Sequence, residues 1–239
     1  MSMATELNPI PSSTAVRDGA SYAGLQEYMR AIYNTMAGGL ALTGVVAWLS
    51  FSQGLYQRLA GTPLIWVALL APLGIVLFLS MRIQKMSLAA AQLTYWVYAA
   101  LMGVSLAGIF LVYAHDSIAR VFFVTAGTFA AMSVYGYSTK TDLTRWGSFL
   151  IMGLFGIIIA GLVNLFLHSS ALQFAVSVAG VIVFVGLTAY DTQKIKQLYV
   201  LADTGDTAGK KVVMGALTLY LDFINLFLTL LRLFGGRRS

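Results

Sequence analysis

The sequence holds no cysteine, 4 prolines and two histidines in 239 residues, and only 10% of its residues are charged. Without cysteine there is no disulfide framework, no thiolate metal site and no cysteine nucleophile. So few charges also leave too little polar material to cover a water-facing globule, since soluble domains carry about a quarter charged residues. What the chain has instead is 59% hydrophobic residues, 23 glycines and a mean hydropathy of +0.80. Glycine is tolerated in membrane helices and lets their backbones approach closely. The composition is that of an all-α membrane protein whose first partner is the lipid bilayer. The net charge of +6 resembles a nucleic-acid footprint only until the 15 Lys and Arg are located. They fall in short stretches between apolar runs, so they read as topology signals and no nucleic-acid partner is expected.

Seven apolar runs have the 17 to 25 residues, roughly, that a helix needs to cross the hydrocarbon. They extend over residues 32–52, 64–81, 88–113, 118–137, 147–167, 171–190 and 212–231. The first 30 residues, polar and with Pro9 and Pro11, read as a flexible cytoplasmic tail; 31–234 form a single transmembrane domain and 235–239 a short basic tail. No cleavable signal is visible, because the first run starts too late and is too long. Ten basic residues, from Arg17 to Lys211, alternate onto one side of the membrane, against Arg58 and Arg120 on the other. The positive-inside rule then makes the N-terminus cytoplasmic. Seven full crossings put Arg232, Arg237 and Arg238 outside, which the same rule disfavours. Either the earlier helices dominate the orientation or the last run does not fully cross. Small residues four apart, Gly103 with Ala107 and Gly156 with Ala160, suit close helix packing.

The informative residues in such a protein are those whose burial costs most. A carboxylate at the centre of a bilayer helix costs about 2.5 to 3.5 kcal/mol unless paired, hydrated or protonated. Seven of the nine acids lie in the tail or connections; Asp191 and Asp222 remain. Asp222 sits near the middle of the last run, with Thr218 four residues before it and Asn225 three after, so the three share one helical face. Asp191 closes the sixth run in Ala189-Tyr190-Asp191-Thr192-Gln193, at the end where the seventh run starts. Two readings are open. Asp191 is an interfacial residue paired with Lys194 or Lys196 and Asp222 a structural hydrogen-bonding group, or the two carboxyls approach within a few ångströms and titrate as one unit. The basic residue closest in depth is Arg82, at the end of the second run, which serves either as a topology anchor or as a latch on ionised Asp191.

At these residues the chain resembles the Bax inhibitor-1 family, also called the transmembrane Bax inhibitor motif family. The resemblance runs through the whole chain after the N-terminal tail. It is carried by Ala189-Tyr190-Asp191-Thr192-Gln193-Lys194-Ile195 and by Leu219-Tyr220-Leu221-Asp222-Phe223-Ile224-Asn225-Leu226-Phe227 with Leu230-Leu231-Arg232. The bacterial branch implies seven helices with the last enclosed by the other six, in a bacterial inner membrane, and a calcium leak gated by pH. By motif its aspartate pair carries over to Asp191 and Asp222, and its arginine latch to Arg82. The expected site is thus Asp191 and Asp222 as pH sensor and, with Asn225, as weak transient calcium ligands, Arg82 as latch, and Thr218 and Tyr190 as polar support. Calcium and protons are the expected partners, and no tightly bound cofactor is expected. The outer half offers His115 and Asp116 as the ionisable groups of the third connection, so permeation there relies on Ser, Thr and backbone oxygen, or on a structural change. Both histidines read as isolated loop residues.

Two other classes compete with a leak. An intramembrane aspartyl protease also places Tyr-Asp on a sixth helix and Asp on a seventh. That family's second aspartate follows Gly-x-Gly, whereas Asp222 follows Leu219-Tyr220-Leu221, and its Pro-Ala-Leu segment has no counterpart, so no enzyme is expected. A non-transporting protein that binds a membrane-protein partner, with the aspartates only locking the fold, is the alternative.

Overall fold

The computed structural model describes residues 13–203 and 205–238, with side chains from Tyr22 onward. Its elements are α1 (Ser13–Ser52), α2 (Leu55–Ala60), α3 (Leu64–Arg82) with a 3-10 turn at Ile83–Lys85, α4 (Leu88–Leu106), α5 (Ile109–Val112), α6 (His115–Ser138), α7 (Thr144–Leu167), α8 (Ser170–Gln197) and α9 (Gly205–Phe234). Seven helical segments are long and apolar enough to cross a membrane, with α4 and α5 together making the third. The chain is a multi-pass membrane protein, all-α as its composition dictates. Backbone groups in lipid must be satisfied within the helix, which is why no ladder replaces these helices. The one extended pairing among the described residues is an isolated bridge between Tyr113 and Arg237.

The last helix is the core. Two thirds of the apolar stretch of α9 (67%) is buried, against 6% for α7 and at most 33% for any other. The reason is local sequence. Leu217, Leu219, Tyr220, Leu226 and Leu231 are almost wholly enclosed, and only a stripe through Thr218, Leu221, Asn225 and Leu228 is partly exposed. α9 packs directly on α1, α4, α6 and α8, while α3 lies against α4 and α7 against α8. Lipid is the solvent on the outside, so Trp66, Phe78, Phe123, Phe155 and Phe166 stand exposed there at no cost.

Two expectations change. Residues 13–30 are not a loose tail: they are the first turns of α1, and Tyr28 and Met29 are buried in line with Ile32 and Met36. These turns mix polar residues such as Glu27 and Arg30 with apolar ones, so a search for apolar runs passes over them. Residues 1–12 of the expected tail lie outside the described residues. The short basic C-terminal tail is pinned to the α5–α6 connection. Ala114 N–H donates to Gly236 O (3.0 Å), Arg238 N–H to Val112 O (2.9 Å) and Gly236 N–H to Ser117 Oγ (2.8 Å). This fixes the end of α9 beside the α5–α6 connection. Of the two small-residue pairs, Gly103 is pressed against α1, where an added Cβ would sit 2.7 Å from Thr43 O. Gly156 has open space around it, on the outer face of α7, and packs on nothing within the chain.

Candidate functional site

The site is built where α8 ends against the middle of α9. α6 approaches α8 so closely there that a Cβ on Gly136 would lie 2.2 Å from Ala189 O, so only glycine fits. The residues after Ala189 then bind in several directions. Thr192 Oγ1 lies 3.5 Å from both Ser133 Oγ and Tyr33 OH. Gln193 Oε1 accepts from Leu143 N–H (2.8 Å) and its Nε2 donates to Thr141 O (2.8 Å), holding the α6–α7 connection to α8. Lys196 Nζ donates to Tyr137 O (2.7 Å) over the Tyr137 ring. Tyr190 turns to α7, its ring filling the place a Cβ on Gly147 would take. The expected polar support at Tyr190 is thus a packing contact between helices.

Asp222 is buried at 5% exposure, and its Oδ2 has no donor among the described residues. The side chain it meets is Asp191. Two ionised carboxylates offer only acceptors to one another, so this contact is satisfied only with a proton between them. The cation facing Asp191 is Lys194, one turn along α8. Arg82 is exposed at the end of α3 and forms no ion pair with either aspartate among the described residues.

Two cavities meet the same face of α9 on either side of Asp222. One, of about 490 Å³, is bordered by Asp191, Thr218 and Lys194 and reached by Ile83 and Gln84 beyond Arg82. The other, of about 750 Å³, is bordered by Asn225, Thr229 and Arg232 of α9 and by Asn164, His168 and Gln173. Thr218, Asn225 and Thr229 each donate back to their own helix, at 3.0, 2.8 and 2.6 Å, which leaves oxygen lone pairs facing the cavities. The expected stripe Thr218–Asp222–Asn225 therefore exists and continues through Thr229 to Arg232 at spacings of four and three.

The outer half differs from expectation. It is not limited to Ser, Thr and backbone oxygen: Asn164, His168, Gln173 and the cation Arg232 line it. His168 is a cavity residue in a left-handed turn (φ 48°), and His115 stacks edge-on against Trp48, Phe51 and Phe110 at 5.5 to 5.8 Å. Neither is isolated. Spacing within one helix could not show this, because each partner lies on another segment. No group of three or more His, Cys, Asp or Glu among the described residues could hold a metal ion.

A family model described as "Inhibitor of apoptosis-promoting Bax1" matches residues 25–239. Inner membrane protein YbhL of Escherichia coli strain K12 is 51% identical over 220 residues, covering 90% of this chain and 94% of its own. An uncharacterized protein of Rickettsia prowazekii is 51% identical, with 90% and 92% covered. An uncharacterized membrane protein of Streptococcus pyogenes serotype M3 is 35% identical, with 90% and 95% covered. These matches span all seven crossings and both aspartate segments, and on them the chain belongs to the Bax inhibitor-1 family of membrane proteins.

Proposed function

We propose that this protein is a pH-sensitive cation leak of a bacterial inner membrane, with calcium as the permeant ion and its N-terminus in the cytoplasm. The observation that carries the reading is the contact of Asp191 with buried Asp222, placed between two cavities on one polar face of α9. A hard cation takes oxygen ligands, and Asp191, Asp222 and Asn225 offer them without forming a tight cage, as conduction requires. Protons and cations then compete for the same pair. Arg82 is the latch in this reading: ionised Asp191 draws it over the mouth, and protonation of Asp191 releases it. α3 is held chiefly by α4, so its displacement disturbs a single long-helix interface. The reading assigns no catalytic role to any residue.

The sign follows from the latch. Acid removes the charge that holds Arg82, so flux rises as pH falls. A change of about 1.4 to 2.7 kcal/mol in that contact, about ten- to hundredfold in the opening equilibrium, is the scale to expect. The test is calcium flux into liposomes across roughly pH 6 to 8, the range where a shared-proton pair can titrate. The native chain is measured beside Asp191→Asn and Asp222→Asn. Flux that varies with pH in the native chain and is fixed in folded variants supports the leak. No flux above empty liposomes rejects it in favour of a non-transporting interaction protein.

A further inference from the structure

The larger cavity, of about 750 Å³, has walls from three helices only, α7, α8 and α9. α7 packs on α8 rather than on α9, and Ile158, Leu162 and Leu165 of its lining are exposed, so the groove opens sideways into lipid. Its lining divides by depth. Between Leu154 and Leu165, α7 offers apolar side chains and Gly161 over eleven residues. That is about 16 Å of helix, or one leaflet of a hydrocarbon core roughly 30 Å thick. At the deep end Asn225 and Thr229 turn their hydrogens back to their own helix. At the mouth stands Arg232, in the last turn of α9, exposed and without an ion pair or hydrogen bond among the described residues. Thr229 meets α8 at Gly180, where an added Cβ would lie 2.8 Å from its Cγ2. Arg232, three residues on in an antiparallel pair, is therefore level with Ser177, and a side chain of its length snorkels one turn further, to Gln173. Gln173 is in the first turn of the 28-residue α8, whose amino end favours negative charge. Asn164 Oδ1 accepts from Ser169 N–H (2.9 Å), so its amide has N–H left to offer. No Asp or Glu borders the cavity.

We propose that this groove binds one anionic phospholipid of the leaflet opposite Asp191, its phosphate on Arg232 and the amides of Asn164 and Gln173, and one acyl chain along α7 toward Asn225. Charge complementarity selects the occupant: a mouth of donors with a fixed cation and no carboxylate takes an anion rich in acceptors. The apolar floor selects a ligand that is anionic at one end only. A partner helix about 10 Å across would need roughly 1,250 Å³ over the same length, more than the groove holds. The proposal does not rest on the calcium leak.

Native mass spectrometry of the purified full chain, released from detergent micelles, counts bound lipids and tests this. Palmitoyl-oleoyl phosphatidylglycerol is titrated beside phosphatidylcholine with the same chains and beside dihexanoyl phosphatidylglycerol. One molecule of the first should be held about tenfold or more tightly than either of the others, the second lacking net charge and the third the long chain. Arg232→Gln should weaken it about tenfold, the loss that one charged hydrogen bond carries. Gly161→Phe should weaken it as well by filling the groove, and because a Cβ there meets nothing within 4 Å the fold is retained. Arg120→Gln removes the same charge from an exposed position on α6, outside the groove, and should leave the affinity unchanged. Thermal unfolding in detergent shows that each variant is folded. Native affinity in both groove variants, an equal loss in Arg120→Gln and Arg232→Gln, or a short-chain lipid held as tightly as the long-chain one overturns the proposal. No cation flux enters this assay, so the leak and the lipid site stand or fall separately.

Discussion

The hydroxyl of Tyr220, two residues before Asp222, lies in the core at 0% exposure and 2.6 Å from Thr43 Oγ1. Thr43 also reaches Ala99 O at 2.8 Å and Gly39 O at 2.9 Å. A hydroxyl has one hydrogen, so Thr43 donates to a carbonyl and Tyr220 is the donor to Thr43. Thr43→Val should therefore strand the Tyr220 hydroxyl and destabilise the protein by about 1 to 3 kcal/mol. Adding Tyr220→Phe should recover part of that loss, because the stranded group is then gone. Thermal unfolding in detergent of both variants and the double variant checks this. Additive losses in the double variant would show that the two hydroxyls do not depend on each other. The tyrosine's motif neighbours thus divide their work: Tyr220 fixes α9 to α1, and Asp222 faces Asp191.

At the level of elements, the α6–α7 connection depends on one side chain of α8. Gln193→Leu keeps the size and removes both hydrogen bonds, leaving Leu143 N–H and Thr141 O without partners. Hydrogen exchange at the Leu143 amide should speed up by about tenfold or more, while α8 itself stays protected. Unchanged exchange would mean the connection is held by something else. The seven helices were legible in the sequence because lipid demands long apolar runs, and the aspartates because their burial is costly. Gln193 was not, since its partners lie some fifty residues away and a polar residue at a helix end carries no cost by itself. The start of α1 escaped for a related reason: Tyr28 and Met29 sit between Glu27 and Arg30, and only tertiary contact shows which side is buried. Arg82 was legible as a cation at the right depth, but depth alone does not bring it to Asp191.

For the molecule as a whole, the pairing of Gly236 with Ala114 makes topology testable. The chain has no cysteine, so single substitutions report cleanly. Arg237→Cys and Thr62→Cys should react with a membrane-impermeant maleimide from one side of the membrane, and Lys85→Cys and Lys140→Cys from the other. Labelling of Arg237→Cys on the Lys85 side would break the seven-crossing fold. The central position of α9 bears also on how the protein is made. Ribosomes deliver the chain from its N-terminus, so six crossing segments, among them the α1, α4, α6 and α8 that pack on α9, enter the bilayer before that helix has been translated. Until residues 205–234 arrive, the Thr43 hydroxyl lacks its partner Tyr220 and borders an unfilled slot inside lipid. The order of synthesis is thus opposite to the order of packing, and the half-made bundle is the form that insertion partners and membrane proteases of the cell must tell from the finished one.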